Sequence, residues 1–135
     1  MREGWLEDEY VILFEENESA AMADGYGVAV ALPGFKLIGL RGWDDFLVQD
    51  ENGNIFSVPS VPLDKNHLAA FQMPPGRVNL ERDDRYAGKI KWYVKPLIFG
   101  GDPKIGDNLV WVSHEEHAQL VRWWNDQYRA LKGAS

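Results

Sequence analysis

The sequence predicts an α+β fold, a mainly antiparallel sheet of about five to six short strands with a long C-terminal amphipathic helix packed on it. Three observations lead there. All seven prolines and all but one of the thirteen glycines fall in the first 106 residues, so turns are frequent and strands short. Apolar runs of strand length recur between those turns. After Ser113 the apolar spacing changes from that of strands to that of a helix.

Taken in order, Tyr10 to Phe14 is a continuous apolar run compatible with a buried strand. Val28 to Leu32 and Phe35 to Leu40 read as strands on either side of the turn dipeptide Pro33-Gly34. Phe46 to Gln49 and Ile55 to Val58 flank Asp50-Glu51-Asn52-Gly53-Asn54, where Asn52-Gly53 suits the two positive φ values of a type I′ hairpin. Lys89 to Val94 alternates, with Ile90, Trp92 and Val94 on one face and Lys89, Lys91 and Tyr93 on the other. Pro96 then limits its pairing. Leu109 to Val112 is a further short strand. Ser113 and Glu116 form a capping box, and His117, Leu120, Val121, Trp124, Tyr128 and Leu131 follow at helical spacing until Gly133. The helix spans 114–131 and should lay its Leu120/Trp124/Tyr128 stripe across the sheet. Shorter helices are compatible with 16–24 and 64–71. Trp92, Trp111 and Trp124 take core positions by pattern, whereas Trp123 lies off the stripe. Nothing resembles an interdomain linker, and 1–135 reads as one domain.

Charge narrows the function classes. The chain carries −7 overall, and residues 1–24 hold eight acids against one base, which is the whole excess. Nucleic-acid binding calls for a basic face, so this balance argues against it. A local acidic segment suits electrostatic capture of a basic partner. No cysteine is present, which excludes thiolate chemistry, disulfides and Cys-ligated zinc. The longest apolar runs are five to seven residues, against roughly 20 for a membrane helix. The N-terminus has no apolar signal region. These features lead us to expect a soluble cytoplasmic protein with no membrane partner and no cofactor.

Candidate chemistry is sparse. Ser113-His114-Glu115-Glu116-His117 places two histidines at i, i+3, whereas the zincin helix needs i, i+4. His117 starts the apolar stripe and reads as a packing residue. No G-x-S-x-G elbow occurs, and Gly100-Gly101-Asp102-Pro103-Lys104-Ile105-Gly106 matches no phosphate loop. The adjacent acids Asp44-Asp45 and Asp83-Asp84 suit salt bridges to Arg41 or Arg85.

One stretch is more specific. Lys91-Trp92-Tyr93-Val94-Lys95-Pro96-Leu97-Ile98-Phe99-Gly100-Gly101-Asp102-Pro103, then Asn108-Leu109-Val110-Trp111-Val112-Ser113, His117 and Val121-Arg122-Trp123-Trp124-Asn125, resembles the C-terminal region of the SUKH superfamily of small bacterial proteins. The resemblance lies mainly in residues 91–125, and Leu32-Pro33 followed by Phe35 is similar to an early family element. It implies an α+β domain that works as a toxin immunity protein by surface binding, with no catalytic residues. The expected partner is therefore a protein, such as a basic toxin domain. Glu7, Asp8, Glu9, Glu15 and Glu16 would supply the acidic contact, with Trp5 and Trp123 as aromatic anchors. Two other readings stand beside it: a small metal-dependent hydrolase using His114, His117 and an acid such as Asp102, and an accessory subunit of a larger assembly. Oligomeric state is left open.

Overall fold

The computed structural model describes residues 2–6, 9–72, 80–86, 88–93 and 109–133. Its larger sheet is an antiparallel six-stranded meander in which every neighbour in space is a neighbour in sequence: β1 (Arg2–Leu6), β2 (Glu9–Leu13), β3 (Lys36–Arg41), β4 (Asp45–Gln49), β5 (Ile55–Pro59) and β6 (Ala69–Ala70). Helices α1 (Glu16–Tyr26) and α2 (Val28–Ala31) are inserted between β2 and β3. A separate two-stranded sheet pairs β7 (Ile90–Tyr93) with β8 (Leu109–Val112), and α3 (His114–Gly133) follows. The architecture is α+β, as the punctuation and period change predict.

The meander is covered on both faces. Tyr10, Ile12, Leu37, Leu40, Phe46, Val48 and Val58 point into the main core, where Tyr26, Ile90, Trp92 and Val121 meet them. Val11, Leu13 and Leu47 point the other way and pack with Leu6, Ile38, Phe71 and Leu80. Double coverage explains why Tyr10 to Leu13 is a continuous apolar run instead of an alternating one. Gly39 makes the sheet's closest passage: a Cβ there would sit 2.3 Å from the Ile12 carbonyl oxygen, beside a register shift between Leu37 and Gly39.

Several local expectations change. Val28 to Leu32 is helical, not extended. Gly27 ends α1 in the left-handed conformation (φ 77°), after which Leu32 N–H donates to the Val28 carbonyl at 2.7 Å. Val28 and Leu32 are buried while Ala29 and Val30 are exposed, an i, i+4 pattern that a five-residue apolar run conceals. The β4–β5 connection has positive φ at Gly53 but not at Asn52. Gly53 N–H reaches the Asp50 carbonyl at 3.2 Å, and the Asp50 carboxylate accepts from the N–H groups of Asn52 (3.0 Å) and Asn54 (2.8 Å). That bonding holds a three-residue loop in place of the type I′ turn. The segment 64–71 contains only a 3-10 turn, Lys65–His67, before β6. The expected strands at 89–94 and 109–112 appear as β7 and β8, which form their own sheet; Val94 lies outside the described residues.

The C-terminal helix begins as expected, with Ser113 Oγ accepting from Glu116 N–H (3.2 Å) and the Glu116 carboxylate accepting from Ser113 N–H (3.3 Å). It packs against α1 and β7, and its Val121 joins the main core with the meander's inward residues. Its buried line is therefore His117, Val121 and Asn125, with Leu120, Trp124 and Tyr128 only partly buried beside it. Asn125 is fully employed there: its Oδ1 accepts from Leu63 N–H at 2.8 Å, and its Nδ2 donates to the Ser60 carbonyl at 2.8 Å.

Candidate functional site

Several acids of the first fifth of the chain, among the described residues, are engaged within the protein. Glu9 takes two hydrogen bonds from the Arg41 guanidinium, at 2.7 and 2.8 Å. Glu16 accepts from Lys36 Nζ at 2.9 Å, a bond that holds its carboxyl below the ordinary glutamate range. Glu15 precedes α1 and lies 3.8 Å from Arg2 Nε. Glu3, on β1, accepts from Tyr10 Oη (3.0 Å) and from Gly88 N–H (3.1 Å). Burial and that carboxylate push the Tyr10 hydroxyl up to about 12. Glu7 and Asp8 lie outside the described residues. The meander thus brings Arg41 and Lys36, 32 and 20 positions later in sequence, onto Glu9 and Glu16, so described acids of a one-sided sequence segment sit beside bases.

Trp5 is engaged as well. Its Nε1 donates to Asp83 at 3.2 Å, and its ring meets Tyr10 and Tyr86 edge-on at 5.5 and 6.0 Å. Asp83 in turn accepts from Arg85, which holds its carboxyl well below the usual range. Trp5 belongs to an aromatic cluster that sequence reading did not assemble. Trp43 stacks on Tyr10 (5.2 Å, 16°), Tyr86 stacks on Trp111 (5.3 Å, 23°), and Trp43 meets both Tyr86 and Trp111 edge-on. These five rings join the meander to the β7–β8 sheet. Trp43 also has φ 64°, an unusual conformation for a bulky residue, and its buried Nε1 has no hydrogen-bond partner among the described residues. Beside it, burial pushes the Asp44 carboxyl up to about 6.

Trp111 is therefore not a core residue; it is 46% exposed. The β7–β8 register places it opposite Lys91, on the outward face of the hairpin, and Lys91 Nζ lies over the Trp43 ring at 5.6 Å. The signal was present in the outward assignment of Lys91, but register is needed to pass it across to Trp111.

The histidine pair separates into two environments. His117 is fully buried: its Nδ1 shares a 2.8 Å hydrogen bond with Tyr26 Oη, and its ring meets Tyr26 and Trp92 edge-on. Burial, then the neighbouring His114, pushes its pKa down to about 3. His114 is partly buried on the first turn of α3, and burial lowers its pKa too. His117 thus faces aromatic rings, not a cleft. Asp102 lies outside the described residues, among which no three His, Asp or Glu side chains gather where they could hold a metal ion.

Trp123 occupies the outer face of α3 and is 54% exposed. Its ring abuts Trp124 at 4.8 Å and 89°, and Trp124 packs against the core. The indole is consequently backed by a fixed wall. Its helical neighbours four residues away in each direction, Gln119 and Gln127, are exposed and uncharged. Leu131, two turns further on, is 63% exposed. An exposed aromatic side chain backed by a second ring has the make-up of an interface anchor.

No family model, curated protein or solved structure matches the chain. No helix among the described residues is long and apolar enough to cross a membrane.

Proposed function

We propose that this protein is a non-enzymatic protein-binding module of the immunity type that its resemblance to the SUKH superfamily implies, acting by covering a basic toxin domain. The observation that carries this reading is Trp123, more than half exposed and held edge-on against the half-buried Trp124. A supported indole loses little side-chain freedom on binding, so most of its burial goes into affinity. The −7 net charge adds long-range attraction for a basic partner. Glu15 and Glu16 contribute to that field because their side chains stay more than half exposed despite Arg2 and Lys36. Trp5 and Glu9, engaged within the protein, support the surface instead of contacting the partner.

The test is capture of partner from the native cell with the full chain and with Trp123→Ala as baits, followed by titration of the recovered protein. The expected result is one stoichiometric partner whose affinity falls at least about thirtyfold with Trp123→Ala, the effect of a hot-spot residue. Co-expression with that partner should restore growth for the parent chain and not for the variant. Equal affinity for both baits would remove Trp123 from the interface and this reading with it.

A further inference from the structure

On the side of α3 facing α1, a groove of about 220 Å³ opens between the C-terminal end of α1, α2, the segment after β5 and α3. Its floor is preformed. Tyr26, Leu63 and Asn125 are 1%, 6% and 3% exposed, and the Asn125 amide already satisfies Leu63 N–H and the Ser60 carbonyl. The rim carries four charges. Arg129 and Asp126 pair with each other, which leaves Arg122 and Asp24. These two line one groove, carry opposite charge and do not pair, either together or with any described residue. The Arg122 stem runs beside Gly27, where a Cβ would lie 3.7 Å from its Cγ. Asp24 lies in the last turn of α1, which contains no basic residue, so its negative helix pole adds to the attraction for a cation there. Val30, 77% exposed, and the buried Leu63 add apolar surface to the lining of the same groove.

A cation alone would meet Arg122, and an anion alone would meet Asp24. A small zwitterion satisfies both. The volume is below the range of drug-sized pockets and suits a ligand of a few heavy atoms. We propose that this groove binds a free α-amino acid with an aliphatic side chain, its carboxylate on Arg122, its ammonium on Asp24 and its side chain against Val30 and Leu63. A guanidinium is well matched to a carboxylate because its N–H donors are planar and paired. The site is separate from the Trp123 surface, and Trp123→Ala should leave it unaffected.

Calorimetric titration of the full chain with L-leucine, leucinamide and N-acetyl-leucine tests this. L-leucine should bind saturably, and each blocked analogue at least about tenfold more weakly, because each leaves one charged partner unmet. Arg122 and Asp24 are exposed, so Arg122→Leu and Asp24→Asn should fold normally. Arg122→Leu should bind L-leucine and leucinamide alike, and Asp24→Asn should bind L-leucine and N-acetyl-leucine alike. Absence of saturable heat with L-leucine, L-valine and L-isoleucine overturns the proposal, as does binding that both variants leave unchanged.

Discussion

The acidic N-terminal fifth and the C-terminal helix invite opposite expectations from sequence. The first has a concentrated charge that suggests an exposed binding face, and the second an amphipathic pattern that suggests scaffold. In the fold, Glu9, Glu16 and Glu3 are met by Arg41, Lys36 and Tyr10, while α3 leaves Trp123 more than half exposed. Charge travels along the chain as a sum, but a surface is set by which strands become neighbours. The helix tells the reverse story, since 20 residues on one axis offer a core face and a solvent face together.

The sharpest way to break this contrast is at the scaffold side of α3. His117→Ala should destabilise the protein by about 3–5 kcal/mol, because it opens a cavity beside Trp92 and strands the buried Tyr26 hydroxyl. Urea unfolding followed by tryptophan fluorescence measures it. Acid is the next largest lever. A folded pKa near 3 against the ordinary 6.5 means that His117 contributes stability above about pH 6.5, which is lost as pH falls toward 3. Its slope is at most about 1.4 kcal/mol per pH unit. Asp44 acts in the opposite sense: with a folded pKa near 6 against 3.8, it favours the folded state below about pH 3.8, an effect lost as pH rises through 6. Between about pH 4 and 6 the two offset, so net loss should concentrate below pH 4. Asp44→Asn should move the onset of acid destabilisation upward, and His117→Phe should leave stability rising as pH falls from about 6 to 4, the Asp44 contribution alone, and lessen the loss below pH 4.

Legibility in the sequence followed the range of the interaction. Capping of α3 by Ser113 and Glu116, the central strands β3, β4 and β5, and the burial of His117 depend on neighbours a few residues away or on apolar patterning. What stayed hidden depends on pairing. β1 has no run of strand formers and is held by the β2 ladder and by the bridge between Trp5 and Glu81. The five-ring cluster draws on residues from 5 to 111, and α2 was misread because helix and strand coincide over five apolar positions. For the candidate surface, Trp123 was visible as a residue off the stripe. Its support by Trp124 was adjacent in sequence but needed ring geometry to become an argument.

A smaller effect tests the claim that the N-terminal acids are internally engaged. A double-mutant cycle on Glu9 and Arg41 should give a coupling of about 0.5–1 kcal/mol, since the pair is bidentate yet about one-third exposed. Coupling should fall in high salt. A value of zero would mean that Glu9 is as available to a partner as its sequence context suggests, and the contrast between the two regions would narrow.

The smallest expected effect is the most discriminating. Trp123→Ala should change unfolding free energy by no more than about 0.5 kcal/mol, because the indole is mostly in water and the core behind it is closed by Trp124. Trp124→Ala, one residue along, removes a ring packed on the core and should cost about 2–4 kcal/mol. Equal losses at both positions would make Trp123 a structural residue and return α3 entirely to the scaffold. An unfolding constant for Trp123→Ala within about twofold of the parent chain's, beside a much larger change for Trp124→Ala, would leave Trp123 without a folding role. An exposed indole that contributes little to folding, on a support that contributes much, is what the interface proposed at Trp123 requires.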